Sequence, residues 1–333
     1  MPPSLNKDIL TEIVEQLLKN GNQDSVIQFC ISGKEPLKAL IKVFALIKHV
    51  ELYDDYYTFG LDNKKCCEFY IYDKNEPYFR SLMLFSGDSV TNLQMDFSKE
   101  SSVKFYQPFL DKISEIKKLT ILSIPSCCKQ NDTIKFIRIF SSTIKEFSIN
   151  PFLMNNLIRD SLTLEKLTIL QNNDKFFFQF CPQTSAMIFE NSALVKELHF
   201  NVDVGDVRDL FQSVSFTEYM ITFSSLEHIK FYVTNNIILS FTHRYYSHIT
   251  DDIYNLENAI KYSVNVPSKV TYFIQYPVVY RYIDFSDTPF MTDSLFKEYE
   301  YDDNVHDVYC LRQKLESAGM KPVDLEIHVA KST

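Results

Sequence analysis

A chain of 333 residues can hold one large domain or two ordinary ones. With 45 % hydrophobic and 23 % charged residues it should bury a proper core, which excludes a largely disordered chain. The formal net charge of -9 argues against a broad electrostatic grip on nucleic acid or on an anionic membrane face.

From the first residues onward, Met1-Pro2-Pro3 leads into an amphipathic segment with no basic stretch followed by an apolar one, so no secretory signal is expected. Between Ser4 and Asn20 the apolar residues Leu5, Ile9, Leu10, Ile13, Val14, Leu17 and Leu18 fall on one helical stripe. Asn6 is placed to cap this helix, Asp8 sits where the dipole favours an acid, and Gly21 supplies a stop. Asp24 or Ser25 can cap a second short helix carrying Val26, Ile27, Phe29 and Cys30, and a third is expected over 36–46, with Pro36 near its first turn. The most apolar run, residues 39–47, is short and carries Lys42, so no bilayer span is expected.

The periodicity then changes. A six-residue pattern, apolar-x-x-apolar-x-apolar, recurs as Ile47/Val50/Leu52, Val90/Leu93/Met95, Ile116/Leu119/Ile121, Ile144/Phe147/Ile149, Leu164/Leu167/Ile169, Val195/Leu198/Phe200 and Leu226/Ile229/Phe231. The last two apolar positions of each unit alternate as a short strand with one buried face requires. Segments between them, such as 132–142 and 205–214, look helical. This resembles an irregular leucine-rich repeat, LxxLxLxxN/C, over residues 44–233. Only the unit beginning at Leu164 places Asn, Asn172, at the ninth position, so the resemblance implies a degenerate arc; an ordinary α/β domain with several short strands is the alternative. In a leucine-rich arc the x position inside each strand faces the concave side, which makes Thr120, Ser148, Thr168, His199 and Lys230 the candidate substrate contacts.

Beyond Thr234 tyrosines crowd the sequence. Residues 268–285 read as strand material interrupted at Pro277, 296–307 as an acidic loop, 306–319 as a helix stopped by Gly319, and the alternation Val323, Leu325, Ile327, Val329 as a last strand. This strand-rich end is expected to cap the repeat stack. The domains expected are therefore residues 1–45, 46–233 and 234–333.

The opening helices resemble the F-box, commonly written LPxDILxEIxxxL. Leu5, Asp8, Ile9, Leu10, Glu12, Ile13 and Leu17 stand at matching positions. Asp24, then Val26-Ile27, Phe29-Cys30, Lys34 and Leu37 or Leu40 follow as that motif continues. Asn6 replaces the motif's proline, and the chain has no tryptophan. The resemblance covers about 40 residues and is strongest to the divergent F-box families of nematodes. It implies an α/β chain with a three-helix F-box-like unit, a leucine-rich-repeat-like αβ arc and a strand-rich cap. It also implies docking on a Skp-type adaptor of a cullin–RING ubiquitin ligase through Leu5, Ile9, Leu10, Ile13, Leu17, Val26, Ile27, Phe29 and Cys30. An unknown protein substrate would then bind the repeats. A repeat-based binding scaffold with no ligase link is the alternative.

Positive signs of catalysis are lacking. The six glycines are too far apart for a P-loop, a dinucleotide fingerprint or a GxSxG elbow. The seven cysteines form no CxxC, which leaves zinc ribbons without their spacing and points to reduced thiols in the cytoplasm or nucleus. His243 and His248 are five apart, off the i, i+4 register for a shared metal, and read as loop residues. No catalytic residue, cofactor or metal ligand is expected, and neither nucleic acid nor a membrane is expected as a partner.

Overall fold

The computed structural model describes residues 6–21, 23–61, 64–71, 76–126, 130–154, 157, 162–171, 191–204, 211, 214, 216–235, 243–277, 300–302 and 308–332. The fold is mixed α/β, and its contacts divide it into two compact units, Met1–Ser148 and Ile149–Thr333.

The first unit begins with α1 (Lys7–Lys19), α2 (Gln23–Ile31) and α3 (Lys34–Phe44). The Asn6 side chain accepts the Asp8 N–H, so this residue caps α1 as its type predicts. Gly21 takes a positive φ of 69° just past the helix end, a conformation that costs glycine little. The strands β1 (His49–Tyr53), β2 (Tyr56–Leu61) and β3 (Lys64–Tyr70) form an antiparallel meander. After α4 (Glu76–Ser86), β4 (Asn92–Asp96) pairs parallel with β1. After α5 (Glu100–Ile116), β5 (Ile121–Ile124) pairs parallel with β4. Then come α6 (Gln130–Ile139) and β6 (Glu146–Ile149). Alternation sends Val50, Leu52, Leu93, Met95, Leu122 and Ile124 to the buried face. Phe44 of α3 meets Phe59 and Phe69 edge-on, at centroid distances of 4.8 and 6.2 Å, which locks the helices against the meander.

Tyr106 of α5 is wholly buried, and its hydroxyl lies 2.7 Å from the Tyr53 carbonyl and 3.0 Å from that of Tyr56. One side chain thus closes the β1–β2 turn onto α5. Tyr106→Phe keeps the ring and strips both carbonyls of their donor, a loss expected at about 1–2 kcal/mol. A lower urea midpoint at unchanged slope checks it.

The second unit starts with the short helix α7 (Pro151–Met154) and continues through β7 (Lys166–Gln171), β8 (Glu197–Val204), α8 (Phe216–Thr222), β9 (His228–Asn235), α9 (His243–Tyr262) and β10 (Lys269–Pro277). It closes with β11 (Glu300–Asp302), β12 (Val308–Glu316) and β13 (Pro322–Ser332). The strand order is β7-β8-β9-β10-β13-β12-β11. The first five run parallel, and β12 and β11 are antiparallel to their neighbours. Two apolar rows cross the parallel strands in register, Leu167–Leu198–Ile229–Val270–Leu325 and Ile169–Phe200–Phe231–Tyr272–Ile327. All ten are buried. Phe216 and Tyr219 of α8 pack on Phe231 and Phe200, and Asp252 of α9 reaches the Tyr272 hydroxyl.

The pairing corrects several expectations. The sequence pattern places the third repeat three residues early. Ile116 ends α5 half-exposed, and the strand pattern is Leu119/Leu122/Ile124, with Leu93 paired to Leu122. Residues 308–316 form β12 and not a helix, bonded position by position to β13 from Val308↔Ala330 to Glu316↔Pro322. Leu311 and Leu315 satisfy helical spacing and strand parity alike, and the neighbouring strand decides between them. His243 and His248 lie on α9, not in a loop. Helix α2 starts before Asp24, which falls in its first turn, and α3 starts at Lys34. The three leading helices pack with the β-meander inside the unit Met1–Ser148. Leu5, Asn172, Tyr280 and Tyr282 lie outside the described residues, as do most of 205–214 and 296–307.

Candidate functional site

Two surfaces carry the residues singled out by sequence. The first is the outer side of α1 and α2. The stripe on α1 splits into two seams one residue apart. Leu10, Val14 and Leu18 are buried against the rest of the unit, whereas Ile9 is 46 % exposed and Ile13 and Leu17 are half-buried. On α2, Val26 and Cys30 are buried, Ile27 and Phe29 are half-buried, and Ile31 at the end is 74 % exposed. Burial raises the Cys30 thiol pKa against a lowering hydrogen bond with Tyr78, which leaves an inert thiol. Of the predicted docking residues, then, Leu10, Val26 and Cys30 brace the unit from inside. Ile9, Ile13, Leu17, Ile27 and Phe29 retain outward surface.

The second surface is the polar face of the C-terminal sheet, opposite the buried rows. Strand alternation and parallel register line up two transverse polar rows: Lys166–Glu197–His228–Lys269–Asp324, then Thr168–His199–Lys230–Thr271–Glu326. A third row, Tyr232–Phe273–His328, is aromatic. Tyr232 and Phe273 stack at 4.7 Å, and the Phe273 ring lies 6.0 Å from that of His328. The Lys230 ammonium sits 5.7 Å from the Phe273 centroid and 6.0 Å from that of Tyr232, within cation–π range. Lys269 pairs with Glu326 at 2.8 Å. The His228 Nε2 is 2.9 Å from the Thr271 hydroxyl. His199 Nε2 lies 3.3 Å from a Glu197 oxygen without hydrogen-bond alignment, and is a buried nitrogen with no hydrogen-bond partner.

Charge follows from this crowding. Burial, then Lys166, His228 and Lys230, push the His199 pKa down to about 4, so its imidazole is neutral at physiological pH. Burial, then Lys269, lowers that of His228 also, against the pull of Glu197. The His328 pKa is lowered by burial against the opposing Glu326.

The N-terminal unit has a polar row of its own, Thr58–Glu51–Gln94–Ser123. Glu51 accepts from the Tyr53 and Thr58 hydroxyls at 2.8 and 3.1 Å and lies 3.0 Å from His49 Nε2. The His49 bond, against the upward push of burial, leads in holding the Glu51 carboxyl at about 2. Gln94 extends the network by donating to the Tyr53 hydroxyl at 3.3 Å.

The structure therefore brings Thr168, His199 and Lys230 into one row. It sets Thr120 aside, because that residue precedes β5 and donates to the Thr91 carbonyl, leaving Ser123 in the row. Ser148 is half-buried within β6. Sequence reasoning missed Glu197, His228, Thr271 and Glu326; extending the register two residues before the repeat's x position, and on into β10 and β13, would have found them. Comparisons with protein-family models, with curated proteins and with solved structures find no match for this chain.

Proposed function

We propose that the chain is a non-catalytic substrate adaptor of a Skp–cullin–RING ubiquitin ligase, with α1 and α2 as the docking element and the repeat-like strands as the substrate-binding part. The observation that carries this reading is the second apolar seam of α1. Ile9, Ile13 and Leu17 continue the F-box-like spacing on the outer side, and the exposed Ile31 lies at the end of α2. An amphipathic helix whose stripe is wider than its own unit covers is suited to a partner's groove. On this reading the αβ repeats form a leucine-rich-repeat-like array whose Thr168, His199 and Lys230 meet the substrate. The buried cysteine side chains Cys30, Cys67 and Cys310 are in keeping with a reducing, cytoplasmic or nuclear location. No helix among the described residues is long and apolar enough to cross a membrane.

The test is co-purification of the full chain with a Skp-type adaptor. Ile9→Asp with Ile13→Asp is the informative variant, because Leu10 is 2 % exposed and an acid there would disturb folding. Two interface anchors at about 2 kcal/mol each predict roughly a thousandfold loss of affinity at unchanged melting temperature. Absence of capture by the wild-type chain, or capture untouched by the double change, removes the adaptor reading. The repeat-type binding scaffold then stands in its place. The inward seam Leu10/Val14/Leu18 favours that second reading, in which α1 to α3 serve only to cover the adjoining strands.

A further inference from the structure

The β8–β9 pair gathers a constellation of which the adaptor reading uses only His199. Glu197 and His199 are two apart on β8 and so share a face, and His228 on β9 stands opposite Glu197 in register. One ligand atom from each lies within 4.8 Å of the others. We propose that Glu197, His199 and His228 form a site for one divalent transition-metal ion, zinc foremost, with a coordination position left open on the polar face of the sheet.

The donor set is chemically apt, since two imidazoles and a carboxylate suit zinc and its first-row neighbours better than calcium or magnesium. The His199 nitrogen beside Glu197 is buried and has no hydrogen-bond partner, an arrangement that leaves a polar atom unsatisfied unless something binds it. Tetrahedral zinc with bonds of about 2.0–2.1 Å needs donor separations near about 3.4 Å. The Glu197–His199 pair is already at 3.3 Å, so rotation of the His228 ring or the carboxylate supplies the remaining closure. Three protein ligands are the number that leaves a fourth position free, and the Glu197 side chain is 45 % exposed, so the ion is reachable from solvent.

Lysines surround the trio. Lys166, Lys230 and Lys269 stand opposite Glu197, His199 and His228 respectively. Lys269 is engaged with Glu326, and Lys230 leans over the Tyr232 and Phe273 rings. Their charge weakens the site without removing the donors.

The site shares only His199 with the ligase reading, and the two fail separately: adaptor capture is read at α1 and zinc uptake at the sheet. The test is calorimetric titration of zinc chloride into chelator-stripped, folded full-length protein with its accessible thiols alkylated, at neutral pH. One site per chain is expected, with at least a hundredfold loss in His199→Ala and in His228→Ala and a tenfold loss in Glu197→Gln. Cobalt should give a visible ligand-field band without thiolate charge transfer. If an alanine variant fails to fold, histidine NMR of the wild type replaces it, and zinc must then shift the imidazole signals of 199 and 228. No stoichiometric uptake, uptake unchanged by the variants, or zinc leaving those two signals in place overturns the site.

Discussion

Gly319→Ala should unfold the C-terminal sheet at a markedly lower temperature than any other single methyl addition in the β12–β13 turn. A Cβ at this position would lie 2.1 Å from the Val264 carbonyl oxygen and 3.2 Å from its carbon, and both are backbone atoms that no rotamer change moves aside. The turn is fixed from both sides. Ala318 N–H donates to the Ser263 carbonyl, while Met320 N–H donates to Ser317 O and Ser317 N–H to Lys321 O. To admit the methyl group the hairpin must draw away from the segment after α9, breaking the Ala318 bond and tilting strands whose inner residues Val323, Leu325 and Ile327 are wholly buried. Overpacking of this kind costs about 3 kcal/mol. For a unit of this size that is a fall of roughly 6–12 °C in melting temperature. Differential scanning calorimetry measures it directly, and a variant melting with the wild type would show the close approach to be unimportant. Met320, next in the chain at a φ of 57°, offers an internal contrast: Met320→Gly relieves a left-handed residue and should be neutral or mildly stabilising.

The same glycine shows where sequence reading succeeds and where it stops. Its presence signals a break in the chain, and the break is real, but it ends a strand and not a helix. Local spacing around Leu311 and Leu315 fits both periods, and the choice is made by β13, a strand that comes later in the chain. The leading helices were legible because their signals are local: the Asn6 cap, the Asp8 charge, Gly21 at the end and the apolar stripe all lie within the helix they describe. The strands of the repeats were legible for the same reason, except where Lys117, in a left-handed conformation, ends α5 and shifts the count by three. Which half of the α1 stripe faces inward was not legible, because Leu10 and Ile9 differ by one position and only the fold around α3 tells them apart. The Glu197–His199–His228 cluster was half legible. His199 emerged from the repeat pattern, but its partner lies 29 positions on, and only strand pairing joins them.

Asp54→Ala is expected to cost the N-terminal unit about 2 kcal/mol, near the upper end for loss of a helix cap, although Asp54 lies far outside the helix in sequence. Helix α5 carries Lys99 at its N-cap, a residue with no side-chain oxygen to offer. The carboxylate of Asp54, in the turn between β1 and β2, fills the role from across the unit. It accepts the Lys99 N–H at 2.9 Å, the Ser98 N–H at 3.0 Å and the hydroxyls of Ser98 and Ser102 at 2.8 and 2.7 Å. A negative charge against the first turn also meets the helix dipole favourably. Burial pushes the Asp54 pKa up, but the hydrogen bonds from Lys99, Ser102 and Ser98 outweigh it and hold the group at about 2. The unfolded carboxyl titrates near about 3.9, so the folded state binds its proton less readily. This contribution is complete above the unfolded pKa and disappears as pH falls through the folded one, that is, from about 4 down to about 2. Urea midpoints measured across that window should fall for the wild type more steeply than for Asp54→Ala, and the two curves should converge at the acid end. Asp54→Asn, which keeps an acceptor and loses the charge, should lie between them at neutral pH; parallel wild-type and alanine curves would mean that the carboxylate's charge contributes nothing to the cap.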